Sequence, residues 1–182
     1  MSSSGAADKV VILDRDGTLV IDRGYLDDPA GLEFEPGASD GLRWLHSHGY
    51  RLVVITNQSG VGRGFFTLER LEAMNARLSV MVEDSGARLE GIYYCPHAPN
   101  DGCACRKPAL GLLTQAASDL GFNPASAIVI GDKESDIEFG HRAGATTILI
   151  ASEAPAVQFR IPPDLIAPNL MEAARMVTSR RD

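Results

Sequence analysis

Residues 9–18 read Lys-Val-Val-Ile-Leu-Asp-Arg-Asp-Gly-Thr, a β-branched apolar run that breaks off into two carboxylates and a glycine. The run at 9–13 is short and apolar on every side, which predicts a strand buried on both faces rather than an amphipathic helix. The same signature recurs at residues 51–55 (RLVVI), 91–94 (GIYY), 127–130 (AIVI) and 146–150 (TTILI). Helical spacing fills the gaps between them. Residues 38–48 carry Leu42, Trp44 and Leu45 ahead of Gly49. After the candidate cap Thr67 come Leu68, Leu71, Met74, Leu78, Met81 and Val82 on one face, with Gly86 beyond. Helices over 110–120, around 137–142 and over 170–177 complete the set, the first two closed by Gly121 and Gly144. Strands alternating with helices specify an α/β fold: a mostly parallel five-stranded sheet with helices on both faces, in three layers. In such sheets the ligand crevice lies at the carboxyl ends of the strands, where this chain keeps its polar and glycine-bearing segments.

The 182 residues suit one domain, with residues 1–8 (Ser/Ala/Gly-rich) expected to be disordered and 9–182 to form a single unit. The Pro-rich stretch at 155–168 reads as an ordered edge connection. No apolar run reaches the roughly 18 residues of a membrane span, and the N-terminus lacks a basic flank and an apolar core, so the cytoplasm is expected. Lys+Arg 17 against Asp+Glu 24 leaves a net charge of −7, the wrong sign for a non-specific nucleic-acid binder. An anionic small molecule is still compatible, because it responds to local rather than net charge.

Four polar segments carry candidate chemistry. Asp14 and Asp16, two residues apart at a strand end, suit a shared Mg²⁺, although Asp-Arg-Asp-Gly would also make an ordinary turn. A calcium loop is excluded, because it needs glycine at its sixth position and Glu at its twelfth, where this chain has Tyr25. Thr56-Asn57-Gln58-Ser59-Gly60 offers hydroxyls and backbone N–H groups to phosphate oxygens, or equally a helix cap. Arg106-Lys107 is a pair of adjacent cations. Gly131-Asp132-Lys133-Glu134-Ser135-Asp136 is a second acidic cluster after a strand. A fifth constellation, Cys95, His97, Cys103 and Cys105, contains all 3 cysteines of the chain. Three thiolates and an imidazole fill a tetrahedral Cys₃His zinc site; with no open position left, that zinc is structural. His46, His48 and His141 fall in helical segments and read as surface or packing residues.

In their order and their placement after successive strands, the four polar motifs resemble those of the HAD-like phosphohydrolases, over about residues 9–150. In detail the chain is similar to the heptose 1,7-bisphosphate 7-phosphatase family, in the capless branch shared with histidinol-phosphate phosphatases. The matching residues are Asp14-Arg15-Asp16-Gly17-Thr18, Asp22-x-Gly24-Tyr25, Thr56 to Gly60, Arg63-Gly64, Gly91 to His97, Cys103-x-Cys105-Arg106-Lys107-Pro108 and Gly131-Asp132-Lys133. One departure is Ala109-Leu110, where the family usually has a second proline. The resemblance implies a Rossmann-like HAD fold without a cap domain, and a Mg²⁺-dependent phosphatase acting on a small sugar bisphosphate as a monomer. It implies Asp14 as nucleophile and Asp16 as general acid and base. Mg²⁺ would sit on Asp14, the Asp16 backbone carbonyl and Asp132, with Thr56 and Lys107 on the phosphoryl oxygens. Asp22, Arg23, Gly24, Tyr25, Asn57, Gln58, Ser59, Arg63, Arg106 and Lys133 become the substrate contacts. Histidinol phosphate as substrate, and a zinc-stabilised sugar-phosphate binding module without turnover, are the alternatives.

Overall fold

In the computed structural model, which describes residues 9–153 and 159–179, the apolar run after Lys9 is an interior strand of a six-stranded sheet. The elements are β1 (Val10–Leu13), α1 (Ala38–Ser47), β2 (Arg51–Asn57), α2 (Ser59–Gly62), α3 (Leu68–Asp84), β3 (Leu89–Cys95), α4 (Gly111–Leu120), β4 (Ile128–Gly131), α5 (Glu134–Ala143), β5 (Thr146–Ile150), β6 (Leu165–Ala167) and α6 (Leu170–Ser179). The strand order is β3-β2-β1-β4-β5-β6, and every neighbouring pair is parallel. The expectation of disorder at 1–8 lies outside the described residues.

Alternation along the strands divides the interior into two layers. Val11, Leu13, Leu52 and Val54 face a core built with α1, α3 and α6, through Leu42, Leu45, Met74, Leu78, Val82 and Ala173. Val10, Ile12, Val53 and Ile55 face the other core, where α4 and α5 supply Leu112, Leu113, Ala116 and Phe139. All four residues of β1 and of β4 are buried, as expected of parallel strands covered on both faces. Thr67 caps α3 by accepting the Arg70 amide at 3.2 Å. Leu68, counted from the sequence among the apolar face, is 44% exposed.

Two elements go beyond the expected set. The sixth strand, β6, arises inside the stretch read as an edge connection. It has only three residues, and its docking is fixed from outside: Thr147 N and Oγ1 both donate to Asp164 Oδ2 at 2.8 Å, and Asp164 N donates back to Thr147 Oγ1 at 3.0 Å. Those bonds set the register Ile148↔Leu165, which local periodicity does not encode. The single turn α2, Ser59-Gly60-Val61-Gly62, contains two glycines and has little helical propensity of its own. It is held by tertiary contact, with Gly62 N donating to Pro96 O at 2.8 Å. No inserted domain interrupts the described strands and helices. Among the described residues, no helix is long and apolar enough to cross a membrane.

Candidate active site

The strand order reverses between β1 and β4, so the connections leaving these neighbours part and open a crevice at their carboxyl ends. Asp14 follows β1 and Asp132 follows β4. The Asp14 amide donates to Ile130 O at 3.0 Å, which ties the two strand ends together. Carboxylate oxygens of Asp14, Asp132 and Asp136 lie within 4.8 Å of one another. Gly17, at φ +83°, permits this crowding, because a Cβ there would come 2.4 Å from Asp132 Oδ2. At Gly131 a Cβ would overlap Asp136 in the same way.

Lys107 stands in the middle of this negative charge, 4% exposed. Its Nζ is 2.7 Å from Asp14 Oδ1, 2.7 Å from Asp136 Oδ1 and 2.6 Å from Ile55 O. Burial works against its charge, but the fields of Asp136 and Asp14 outweigh it and hold the ammonium above its usual pKa. Asp132 is held only at longer range, by Lys133 Nζ at 3.9 Å and Thr18 Oγ1 at 3.5 Å: burial first, then the Asp14 and Asp136 charges, push it up to about 7 against the pull of Lys133. Asp136 stood in the quoted acidic segment but not among the site residues expected from sequence. The signal was its position three residues after Lys133, where its Oδ2 accepts the Lys133 amide at 3.1 Å as α5 begins.

Asp16 turns both oxygens toward Arg15 and Gln58, receiving Arg15 Nε at 3.0 Å, Arg15 Nη2 at 3.2 Å and Gln58 Nε2 at 2.6 Å. Gln58 also donates to Thr56 Oγ1 at 3.0 Å. Asn57 makes a reciprocal pair with the Lys107 backbone, Lys107 N donating to Oδ1 at 2.9 Å and Nδ2 donating to Lys107 O at 3.2 Å. Asn57 and Gln58, expected as substrate contacts, therefore spend their side-chain amides on holding Lys107 and Asp16, though both still line the cleft.

That cleft, about 350 Å³, is bounded by Asp16, Asp22, Gly24, Tyr25, Ser59, Phe66, Arg106 and Lys133 together with Asn57 and Gln58. Lys133 Nζ reaches Asp22 Oδ2 at 3.2 Å, and the Gly24 amide donates to Asp22 Oδ1 at 2.9 Å. Burial would raise the Asp22 pKa, but these two donors hold it below the usual value. The Arg106 Nη1 atom is buried with no hydrogen-bond partner. Tyr25 packs on Phe65 with ring centroids 4.3 Å apart, and the Arg63 guanidinium lies 6.0 Å over the Tyr25 ring at the exposed rim. Arg23 is not brought to the cleft; it turns away to Glu33 Oε2 at 2.5 Å and Gly31 O at 3.1 Å.

Beside this cleft the four sulfur and nitrogen groups converge as a second cluster. Cys95 Sγ is 3.1 Å from Cys105 Sγ and 3.5 Å from Cys103 Sγ, and His97 Nδ1 is 3.1 Å from Cys105 Sγ. These separations are far from a disulfide, and near the edge of roughly 3.7 Å of a tetrahedron with zinc–sulfur bonds. Burial, with the Cys105 hydrogen bond, pushes the Cys95 thiol up to about 12; Cys103 is held down to about 7, where hydrogen bonds from its neighbours outweigh burial. The loop packs between α2 and α4, with Gly111 N donating to Ala104 O at 3.0 Å. Arg106 and Lys107 follow it directly.

A HAD-hydrolase-like family model matches residues 104–173. A D-glycero-beta-D-manno-heptose-1,7-bisphosphate 7-phosphatase of Helicobacter pylori strain J99 is 40% identical over 148 residues, 81% of this chain and 85% of the relative. The enzyme of the same name from Haemophilus ducreyi is 39% identical over 82% of this chain and 86% of its own length. The crystal structure of a D,D-heptose 1,7-bisphosphate phosphatase from B. bronchiseptica, complexed with magnesium and phosphate, superimposes with a TM-score of 0.82. It is 26% identical and covers 94% of this chain and 99% of its own. Sharing two-fifths of its residues with these relatives over four-fifths of its length, and the fold over nearly all of it, the chain belongs to the D-glycero-beta-D-manno-heptose-1,7-bisphosphate 7-phosphatase family of HAD-like hydrolases.

Proposed function

We propose that the protein is a Mg²⁺-dependent phosphomonoesterase that removes the C7 phosphate of D-glycero-D-manno-heptose 1,7-bisphosphate. One observation carries the reading: a buried carboxylate, Asp14, lies against the Lys107 ammonium beside a cleft walled by Arg106 and Lys133. Asp14 attacks phosphorus as the bond to the sugar oxygen breaks, giving an aspartyl-phosphate. Asp16 gives its proton to the departing sugar oxygen, then takes one from the water that attacks the phosphoryl-enzyme, breaking the bond to Asp14 and releasing inorganic phosphate. Lys107 and Thr56 bind the phosphoryl oxygens as charge develops on them. Arg106, with its unpartnered Nη1, suits the second phosphate through a charge-assisted bond, and Lys133, Asp22 and Tyr25 bound the sugar.

Three carboxylates around a single buried ammonium leave the site with excess negative charge, and oxygen donors of this kind fit a hard divalent cation. Asp14, Asp132 and the Asp16 backbone carbonyl would hold Mg²⁺, which neutralises charge on the phosphoryl oxygens when bound. The thiol and imidazole cluster fits zinc by its donor set and by its spacing. Filled on all four sides, that zinc would stiffen the loop that delivers Arg106 and Lys107.

The nucleophile and acid assignments are tested with two esters. Asp14→Asn should abolish turnover of heptose bisphosphate in freshly purified protein while the circular dichroism stays native. Asp16→Asn should lower kcat/KM, which reports the phosphoryl-transfer step before Asp16 acts as base, about 10²–10⁴-fold on the sugar ester but far less on 4-nitrophenyl phosphate, whose leaving group needs no proton. Equal losses on both esters would rule out Asp16 as the acid.

Arg106→Ala should lower kcat/KM on the heptose bisphosphate by roughly ten- to a hundredfold, the worth of one charge-assisted contact, and much less on a heptose monophosphate. A parallel assay on histidinol phosphate checks the substrate class.

Zinc should copurify at one equivalent per chain without chelator. Cys103→Ser should lower both the zinc content and the melting temperature. A metal-free preparation with full thermal stability would refute the site.

For magnesium, protons and metal compete for Asp132, which titrates at about 7 in the cation-free chain. Calorimetric titration should therefore find apparent Mg²⁺ affinity flat above that pH. Below it, affinity should fall by about tenfold per pH unit.

A further inference from the structure

Arg15 occupies the middle of the Asp-Arg-Asp motif and is 3% exposed. A buried guanidinium is costly unless its donors are matched, and here three partners match them. Nε and Nη2 hold the two oxygens of Asp16 at 3.0 and 3.2 Å, Nη2 also donates to Gln58 Oε1 at 2.8 Å, and Nη1 donates to Asn75 Oδ1 at 3.1 Å. The backbone is pinned as well, since Arg15 O accepts the amides of Leu19 and Val20 at 2.9 and 3.0 Å. Asn75 is the informative partner. It is a polar residue, 7% exposed, in the middle of α3 among the core residues Leu71, Met74 and Leu78, and its Nδ2 has no hydrogen-bond partner. Nothing about helix packing calls for an amide there; its Oδ1 serves Arg15.

We propose that Arg15 is the positioning residue of Asp16, a planar bracket that fixes the Asp16 carboxylate at the cleft wall and anchors it through Asn75 to α3. The role rests on Asp16 being the acid and base. Gln58 closes the bracket by reaching Asp16 and Thr56 together, so the proton-transfer group and a phosphoryl-binding hydroxyl share one framework. A lysine would not replace it, because one ammonium cannot span two carboxylate oxygens and two amide oxygens lying in different directions. The bracket's own hydrogen bonds run to Asp16, Gln58 and Asn75 and reach neither the Asp14 carboxylate nor Lys107.

The test compares heptose 1,7-bisphosphate with 4-nitrophenyl phosphate in Arg15→Met, Arg15→Lys, Asn75→Leu, Asp16→Asn and the Arg15→Met/Asp16→Asn double variant. Arg15→Met should lose about a hundredfold in kcat/KM on the sugar ester and less than about fivefold on the nitrophenyl ester, since kcat/KM reports phosphoryl transfer and not the hydrolysis step common to both. Arg15→Lys should rescue only a minor part. Asn75→Leu keeps the helix apolar and leaves Asp16 and Arg15 in place; it should show the same selectivity at about tenfold, and it carries the test alone if Arg15→Met does not fold. In the double variant, the Arg15 change should add no further selective loss. Equal losses on the two esters from Arg15→Met or Asn75→Leu, while Asp16→Asn remains selective, would overturn the bracket and leave the acid assignment standing. Equal losses from Asp16→Asn itself would overturn both.

Discussion

A single buried ammonium organises the molecule around its cleft. Lys107 Nζ takes one oxygen from the end of β1, one from the start of α5 and one backbone carbonyl from β2, so three separate parts of the sheet layer meet on one charge. Such a group is stable away from water only when all its partners are present. Removing one side of a buried pair costs about 3–5 kcal/mol, because the other is left uncompensated. The constraint acts in reverse as well. Asp14 and Asp136 could not lie so close in a buried site without a cation between them, and the glycines at 17 and 131 clear the space that this charge cluster occupies.

Around that centre lies a layer of side chains whose work is to hold others. Asn57 clamps the Lys107 backbone, Gln58 links Thr56 to Asp16, Arg15 brackets Asp16, and the Cys95–Cys105 loop is wedged between α2 and α4 just ahead of Arg106. The pattern explains how a site at loop ends is kept rigid without a cap domain. Asp16 and the Lys107 backbone are backed by amides or a guanidinium, whose directional bonds fix orientation as well as position. Arg106 differs. Its buried Nη1 has no hydrogen-bond partner within the protein, the feature on which the proposed contact with the second phosphate rests.

Much of this was legible in residue order alone. Apolar β-branched runs five residues long have few alternatives to buried strands, and alternating them with helical periods leaves little choice but a parallel α/β sheet. The motifs at the strand ends offered Asp14, Asp16, Thr56 and Asp132 as candidates, because the crevice of such a sheet is fixed by its topology, while Lys107 was singled out by the family resemblance. The convergence of Cys95, His97, Cys103 and Cys105 was legible for a different reason: the four lie within eleven residues, so local sequence carries their proximity.

What only the tertiary structure decided are the directions of side chains and the contacts between distant segments. Arg23 stands between the cleft residues Asp22 and Gly24 in sequence yet turns to Glu33, and Asn57 and Gln58 belong to the strand-end motif yet commit their amides inward. Asp136, Arg15 and Asn75 drew no assignment, since each takes its meaning from a partner far along the chain: Lys107 for the first, Asn75 and Gln58 for the second. The strand β6 went unseen likewise, because Asp164 and Thr147 define it across 17 residues. Periodicity records which face of an element is buried. It holds no record of which buried polar group will find which, because that match depends on packing elements from the whole chain.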